Sequence, residues 1–366
     1  MKKIIFFIIL MIFSQIKCKA VTSPPSSISE EINEQIVQSD ANKIKENLPS
    51  YVVDSLIYLN AFDIKSMENL NIYNIINIFL HHIQIKIKKP FFNIILLIII
   101  LSILSIVSSF YQNEIVEFIA SLFVCINMSS GILDILKSSI LSLKFSSNFI
   151  LCFVPIFLTF ALSLGHPFSA HAFNVSLLYC NKLMIDITEN FMFSIINFMS
   201  GLSIISSISV KLKLQKLFDI FYASIKWILI VFSSVISFAF SIQKIISNSL
   251  DNTLTKEIKF AMGLIPIIGS AINDASSVVK ASSRILQVNI GIFGILSILF
   301  IFLPSIVDCL IWIFAFQICE FTSEMFEFNS LKRLFISFKK VINIILSFII
   351  ICFLIFVFST SSIMKD

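Results

Sequence analysis

The chain has 366 residues, of which 57% are hydrophobic and only 13% charged, with a net charge of +5 and a mean hydropathy of +0.96. That balance excludes a soluble globular domain and points to an all-α, polytopic transmembrane bundle. The basic residues are scattered between apolar runs, where membrane topology accounts for them, so no nucleic-acid partner is expected.

The N-terminus carries Lys2 and Lys3, an apolar run from Ile4 to Phe13, and Cys18, Lys19 and Ala20. This reads as a cleavable signal peptide over residues 1–20, with an apolar region too short to span a bilayer. Residues 21–90 then form an extracytoplasmic segment of short amphipathic helices. Ser23, Pro24, Pro25 and Ser26 make a flexible leader, Ile28, Ile32 and Ile36 recur four apart, Pro49 interrupts, and residues 70–87 carry a further apolar face. So small a set of large apolar groups makes a marginal core, and the segment is expected to pack on the membrane domain or on a partner.

The membrane domain is assigned to residues 91–362. Hydrophobic segments fall around 91–110, 116–133, 149–164, 191–210, 222–242, 288–319 and 341–360, with a weaker one at 172–187 that holds Lys182 and Asp186. The run at 288–319 is long for one crossing and short for two, and Pro304 with Asp308 is expected to mark a break inside it. The clusters Lys211/Lys213/Lys216 and Lys332/Arg333/Lys339/Lys340 are the cytoplasmic markers. Totals of six, eight or ten crossings satisfy an exported N-terminus and both markers, and about eight is expected. Lys86, Lys88 and Lys89 would then lie outside, against the rule.

One stretch, residues 256–287, breaks the pattern of charge-free runs. Gly263, Pro266 and Gly269 should interrupt a helix, and a new one should start near Ser270. Along it Ser270, Asn273, Asp274, Ser277, Lys280, Arg284 and Gln287 recur at steps of three and four, a polar stripe that must face protein or water if it lies among spans. An amphipathic helix flat at the interface would show the same pattern. Asp274 has no base three or four residues away and needs a partner elsewhere, either a donor from another span, with Lys226 the most plausible cation, or water in a lumen, the favoured reading. Glycines 291 and 294 and Pro304 follow as packing or breaking positions.

Other chemistry is thin. The chain has seven Cys, which read as small core hydrophobes because no CxxC or Cys/His spacing occurs, and neither a metal nor a cofactor is called for. His81, His82, His166 and His171 read as solvated or interfacial. GxxxxGK[ST], HExxH and GxSxG are all absent from the sequence, which points away from an enzyme and away from an intrinsic ATPase.

Lys259, Phe260, Gly263, Ile265, Pro266, Ile268, Gly269, Asp274 and Ala275, followed by Gly291, Gly294 and Pro304, resemble the signature order of the stage III sporulation protein AE family of endospore-forming bacteria. Weaker similarity runs from Val154 and Pro155 through Gly165, Ser169, Ala170 and Phe173, so the resemblance extends over most of residues 91–362. It implies a multi-pass protein of the mother-cell membrane surrounding the forespore, part of a channel-like apparatus required after engulfment. The implied partners are other stage III A-operon membrane proteins and a cytoplasmic ATPase called AA. A stand-alone secondary transporter for a small solute is the alternative, and it predicts internal repeats between the halves.

Overall fold

A computed structural model describes residues 48–61, 72–108, 113–164, 166–208, 214–263 and 268–364, and among these the ordered elements are all helical. The signal-peptide reading, residues 21–47 and Pro266 lie outside the described residues. Two short helices come first, α1 (Ser50–Tyr58) after Pro49 and α2 (Ile72–Lys86). The long helices follow: α3 (Lys88–Ser108), α4 (Asn113–Ser163), α5 (Pro167–Asp186), a π-helical segment (Ile187–Met192), α6 (Phe193–Ile208), α7 (Leu214–Gly263), α8 (Ile268–Met325) and α9 (Asn329–Met364).

Six stretches among the described residues are long and apolar enough to cross a membrane: Lys88–Ile106, Ile119–Thr159, Pro167–Ser207, Leu214–Leu254, Gln287–Met325 and Asn329–Val357. The difference from the eight expected has a specific origin. Hydropathy separates segments 116–133 and 149–164 because Asp134, Lys137 and Lys144 lie between them. In the structure both belong to α4, which runs unbroken for 51 residues. The three charged residues point outward, while Ser139, Ser142 and Ser146 take the buried side of the same turns. Likewise 172–187 and the described part of 191–210, to Ile208, are one continuous rod. The π-helical segment absorbs an extra residue between α5 and α6 without turning the chain, and Glu189 on it pairs with Lys144 of α4 at 2.9 Å.

The expected break at Pro304 and Asp308 is also absent, because α8 is helical across both. Proline removes the N–H that would pair with the Phe300 carbonyl, but helices packed on every side tolerate that loss. The expected interruption at 263–269 falls on residues 264–267, which lie outside the described residues; α7 is described as far as Gly263 and α8 from Ile268.

Helices α8 and α9 form the central pair, and α4 packs antiparallel on α8. On α9 the side chains of Leu331, Phe335, Phe338, Ile342, Ile345 and Ile349 recur at three- and four-residue steps and are almost fully buried, the seam expected of closely packed helices. Two glycines set the α4–α8 approach from opposite sides. A Cβ on Gly131 of α4 would overlap the Trp312 ring of α8, and one on Gly294 of α8 would overlap the Phe153 ring of α4. Phe149, Phe153 and Phe157 stack along α4 at 5.3 and 5.6 Å, and Phe157 meets Phe173 of α5 at 5.2 Å. Helix α7 differs from the central pair, since among its described residues only a narrow seam including Phe218, Leu229, Ile236 and Phe240 is buried.

Candidate functional site

Two clusters of polar side chains among the described residues join helices through a carboxylate, and neither is the stripe read from the sequence. The first surrounds Pro304. Asp308, one turn below it on α8, accepts a hydrogen bond from Lys86 Nζ at 2.8 Å and one from Ser138 Oγ of α4 at 3.2 Å. The Ser138 and Ser305 hydroxyls lie 3.2 Å apart and the Ser305 and Ser142 hydroxyls 2.8 Å apart, so a hydroxyl track leads from the carboxylate into the bundle. The Asp308 side chain is 14% exposed and that of Lys86 37%.

Helices α1 and α2 close this station from outside. Tyr51 Oη approaches the Ile301 carbonyl at 3.4 Å, near the turn that Pro304 leaves one hydrogen bond short. Its ring meets the His82 ring edge-on at 6.2 Å. Burial pushes the Tyr51 hydroxyl up to about 12. The His82 imidazole is held below its ordinary value, first by burial and then by the neighbouring His81 and Lys86, with Asp308 opposing. The neutral ring is therefore the favoured form at neutral pH.

Two of the three lysines that sit against the topology rule have carboxylate partners: Lys86 pairs with Asp308, and Lys89 with Asp134 at 2.5 Å in an exposed pair.

The second station joins the ends of two helices. Asp251, 1% exposed on α7, accepts hydrogen bonds from the backbone N–H groups of Phe168 and Ser169, each at 2.9 Å. Those are first-turn amides of α5, whose own N-cap, His166, supplies no side-chain cap. A carboxylate there satisfies two otherwise orphan donors and complements the positive end of the helix dipole. His166 Nδ1 stands 3.8 Å from Asp251, and Asn248 accepts from the Ser169 hydroxyl at 3.1 Å. His166 is thus a neighbour of a buried carboxylate and not simply a solvated loop residue.

Of the residues predicted from sequence, Gly263 is the last residue of α7, and Gly269, Ser270, Asn273, Asp274, Ser277 and Lys280 lie on the first turns of α8, their side chains outside the described set. Arg284 is exposed and Gln287 buried. Gly291 and Gly294 are buried on α8, Gly294 against Phe153. Lys226, the cation expected to face Asp274, is exposed on α7, and the Asp274 side chain lies outside the described residues.

Sequence reasoning assigned no site to Asp251, Ser138, Ser142 or Asn289, and read Asp308 only as a break. Asp251 carried no signal, because its two partners are backbone amides more than eighty residues away. Asp308 was legible as an acid in an apolar run, and Ser138 and Ser142 as a four-residue step. Asn289 is also buried, and its Nδ2 has no hydrogen-bond partner among the described residues. A cavity of about 30 Å³ lined by Ser146, Asn181, Met184 and Cys352 lies between α4, α5 and α9, room for a single water.

Six helices of crossing length, with interior carboxylates matched by lysine, hydroxyl and amide donors, define a polytopic helical membrane protein. The model of the stage III sporulation protein AE family matches residues 56–365, and the chain belongs to that family. The match reaches into the N-terminal segment, which had shown little of the resemblance. Stage III sporulation protein AE of Bacillus subtilis strain 168 is 26% identical over 150 residues, which is 41% of this chain and 38% of that protein. The chain therefore matches well under half of that relative's length. No solved structure matches.

Proposed function

We propose that this protein is a multi-pass component of a conduit between mother cell and forespore, required for sporulation after engulfment. It sits in the mother-cell membrane around the forespore and works with other stage III membrane proteins and a cytoplasmic ATPase. The observation that carries this reading is membership of a stage III sporulation family over residues 56–365.

The orientation follows from parity. With an exported N-terminus, three crossings (α3, α4 and α5–α6) lead to the basic cluster at Lys211, Lys213 and Lys216. Two more lead to Lys332 and Arg333, and α9 ends outside. Six crossings therefore keep both basic clusters cytoplasmic. In this arrangement the polar stripe of α8 from Ser270 to Gln287 stands at the outer end of the α7–α8 pair, where it lines a water-filled path.

The test is Asp274→Asn, scored for membrane abundance and for spore titre in the same strain. The expected result is unchanged abundance with a reduced titre, because a solvated carboxylate contributes to the path and not to the fold. Normal values for both would mean that the stripe merely lies at the headgroups.

A further inference from the structure

We infer that the outward face of the α4–α5 hairpin is covered by a second copy of this chain, joined to it by crossed Lys182–Asp186 ion pairs. On α5 and the elements that continue it, the exposed residues Val175, Tyr179, Lys182, Asp186, Glu189 and Phe193 recur at steps of three and four. On α4 the exposed residues Lys137, Leu141, Lys144, Asn148 and Leu151 do the same. Each stripe carries its charges in the middle of a rod whose two ends are apolar. The Lys144–Glu189 pair, with side chains 55% and 46% exposed, sets the two charged sections level with each other.

No position of a bilayer suits this face on its own. Each stripe belongs to a stretch of 41 residues, ~60 Å of helix against ~30 Å of hydrocarbon. A bilayer centred on the hairpin holds Lys137, Lys182 and Asp186 in hydrocarbon. These are exposed and have no ion-pair partner among the described residues, a state strongly disfavoured unless such groups face protein or water. A bilayer moved toward one end frees the charges and sets the opposite apolar end in water. That end is Leu151, Val175 and Tyr179 in one case and Ile119, Leu122 and Phe193 in the other. A protein surface suits both sections at once.

The charges select the occupant. The face sets Lys137, Lys144 and Lys182 against Asp134, Asp186 and Glu189, all exposed, so neither sign prevails. A partner rich in one sign would leave the other unmatched. Lys182 and Asp186 stand four residues apart on one side of α5 and yet form no ion pair, and base before acid is the weaker order for a pair within a helix. Copies inserted the same way in one membrane, related by a two-fold axis along its normal, meet at equal heights. Four residues are ~6 Å of helix, so Lys182 of each copy lies within side-chain reach of Asp186 of the other. One surface supplies both partners.

The experiment needs no spores, so it stands or falls apart from the conduit proposal. Full-length copies carrying two different affinity tags are co-expressed and extracted from membranes in styrene–maleic acid particles, and the capture of one copy through the other is measured. Wild-type copies should capture each other. Lys182→Asp sets acid against Asp186 of the second copy, and Asp186→Lys sets base against Lys182, so each variant should lose self-capture at least about fivefold. A Lys182→Asp copy and an Asp186→Lys copy face each other with opposite charges at both crossed contacts, and should capture one another as the wild type does. That regain also shows that both variants are folded. The inference is overturned if wild-type copies do not capture each other, if either variant keeps its self-capture, or if the mixed pair does no better than each variant with itself.

Discussion

Substituting Asp251 separates a buried cap from an ordinary surface carboxylate. Its two oxygens each accept a first-turn amide of α5, and the side chain is 1% exposed, so water cannot replace it without the local structure opening. Hydrogen bonds to a charged acceptor contribute about 1.5 to 3 kcal/mol each, and a buried donor left unpaired costs about 1 to 3 kcal/mol. Because these describe the same loss from two sides they are not summed, and Asp251→Ala is expected to destabilise by about 3 to 5 kcal/mol. Asp251→Asn keeps one acceptor oxygen and loses the charge, so about 1 to 2 kcal/mol is expected, the size of a lost helix cap. The assay is hydrogen exchange of a peptide covering Phe168 and Ser169 in detergent-solubilised protein, together with its melting temperature. Exchange should accelerate there first, in the order Ala, Asn, wild type. If Asp251→Ala melted like wild type and the Phe168–Ser169 amides exchanged no faster, the trans-capping argument would be refuted.

Gly294→Ala should destabilise by about 1 to 3 kcal/mol through overlap with the Phe153 ring, and Phe153→Leu in the same chain should recover part of the loss in melting temperature. His82, whose folded value is depressed, binds protons more weakly in the native protein than in the unfolded chain. Stability is therefore full above its ordinary value near 6.5 and declines as pH falls toward the folded value. A pH series of melting temperatures should show this decline, and His82→Gln should flatten it. Asp308→Ala removes the acceptor shared by Lys86 and Ser138. Because Lys86 can turn to water, the effect should be about 1 to 2 kcal/mol, below the figure for a fully buried pair, and equal melting of variant and wild type would count against the pairing. On the proposed orientation, an exported N-terminus followed by six crossings, a phosphatase fused after Lys365 should be active, whereas activity of a cytoplasmic reporter at that point would contradict it.

Composition alone determined that this chain is an all-helical membrane protein, because 13% charged residues cannot clothe a soluble surface. The order Gly263, Pro266, Gly269, Asp274, Gly291 and Gly294 pointed to the family that the family model then showed, since a signature of this kind is a run of local sequence and needs no knowledge of tertiary contacts. Helix number was not legible. Hydropathy registers Asp134, Lys137, Lys144, Asp186 and Glu189 as gaps, but a helix continues through a charge whenever it can point outward or meet a partner, as Lys144 and Glu189 do. Nor were the polar stations legible. Asp308 meets Lys86 more than two hundred residues away in sequence, and Asp251 meets backbone amides that any residue could have supplied. Such partners are fixed only when antiparallel packing of α4, α5, α7 and α8 sets their heights along the bundle, and that register is a property of the tertiary structure.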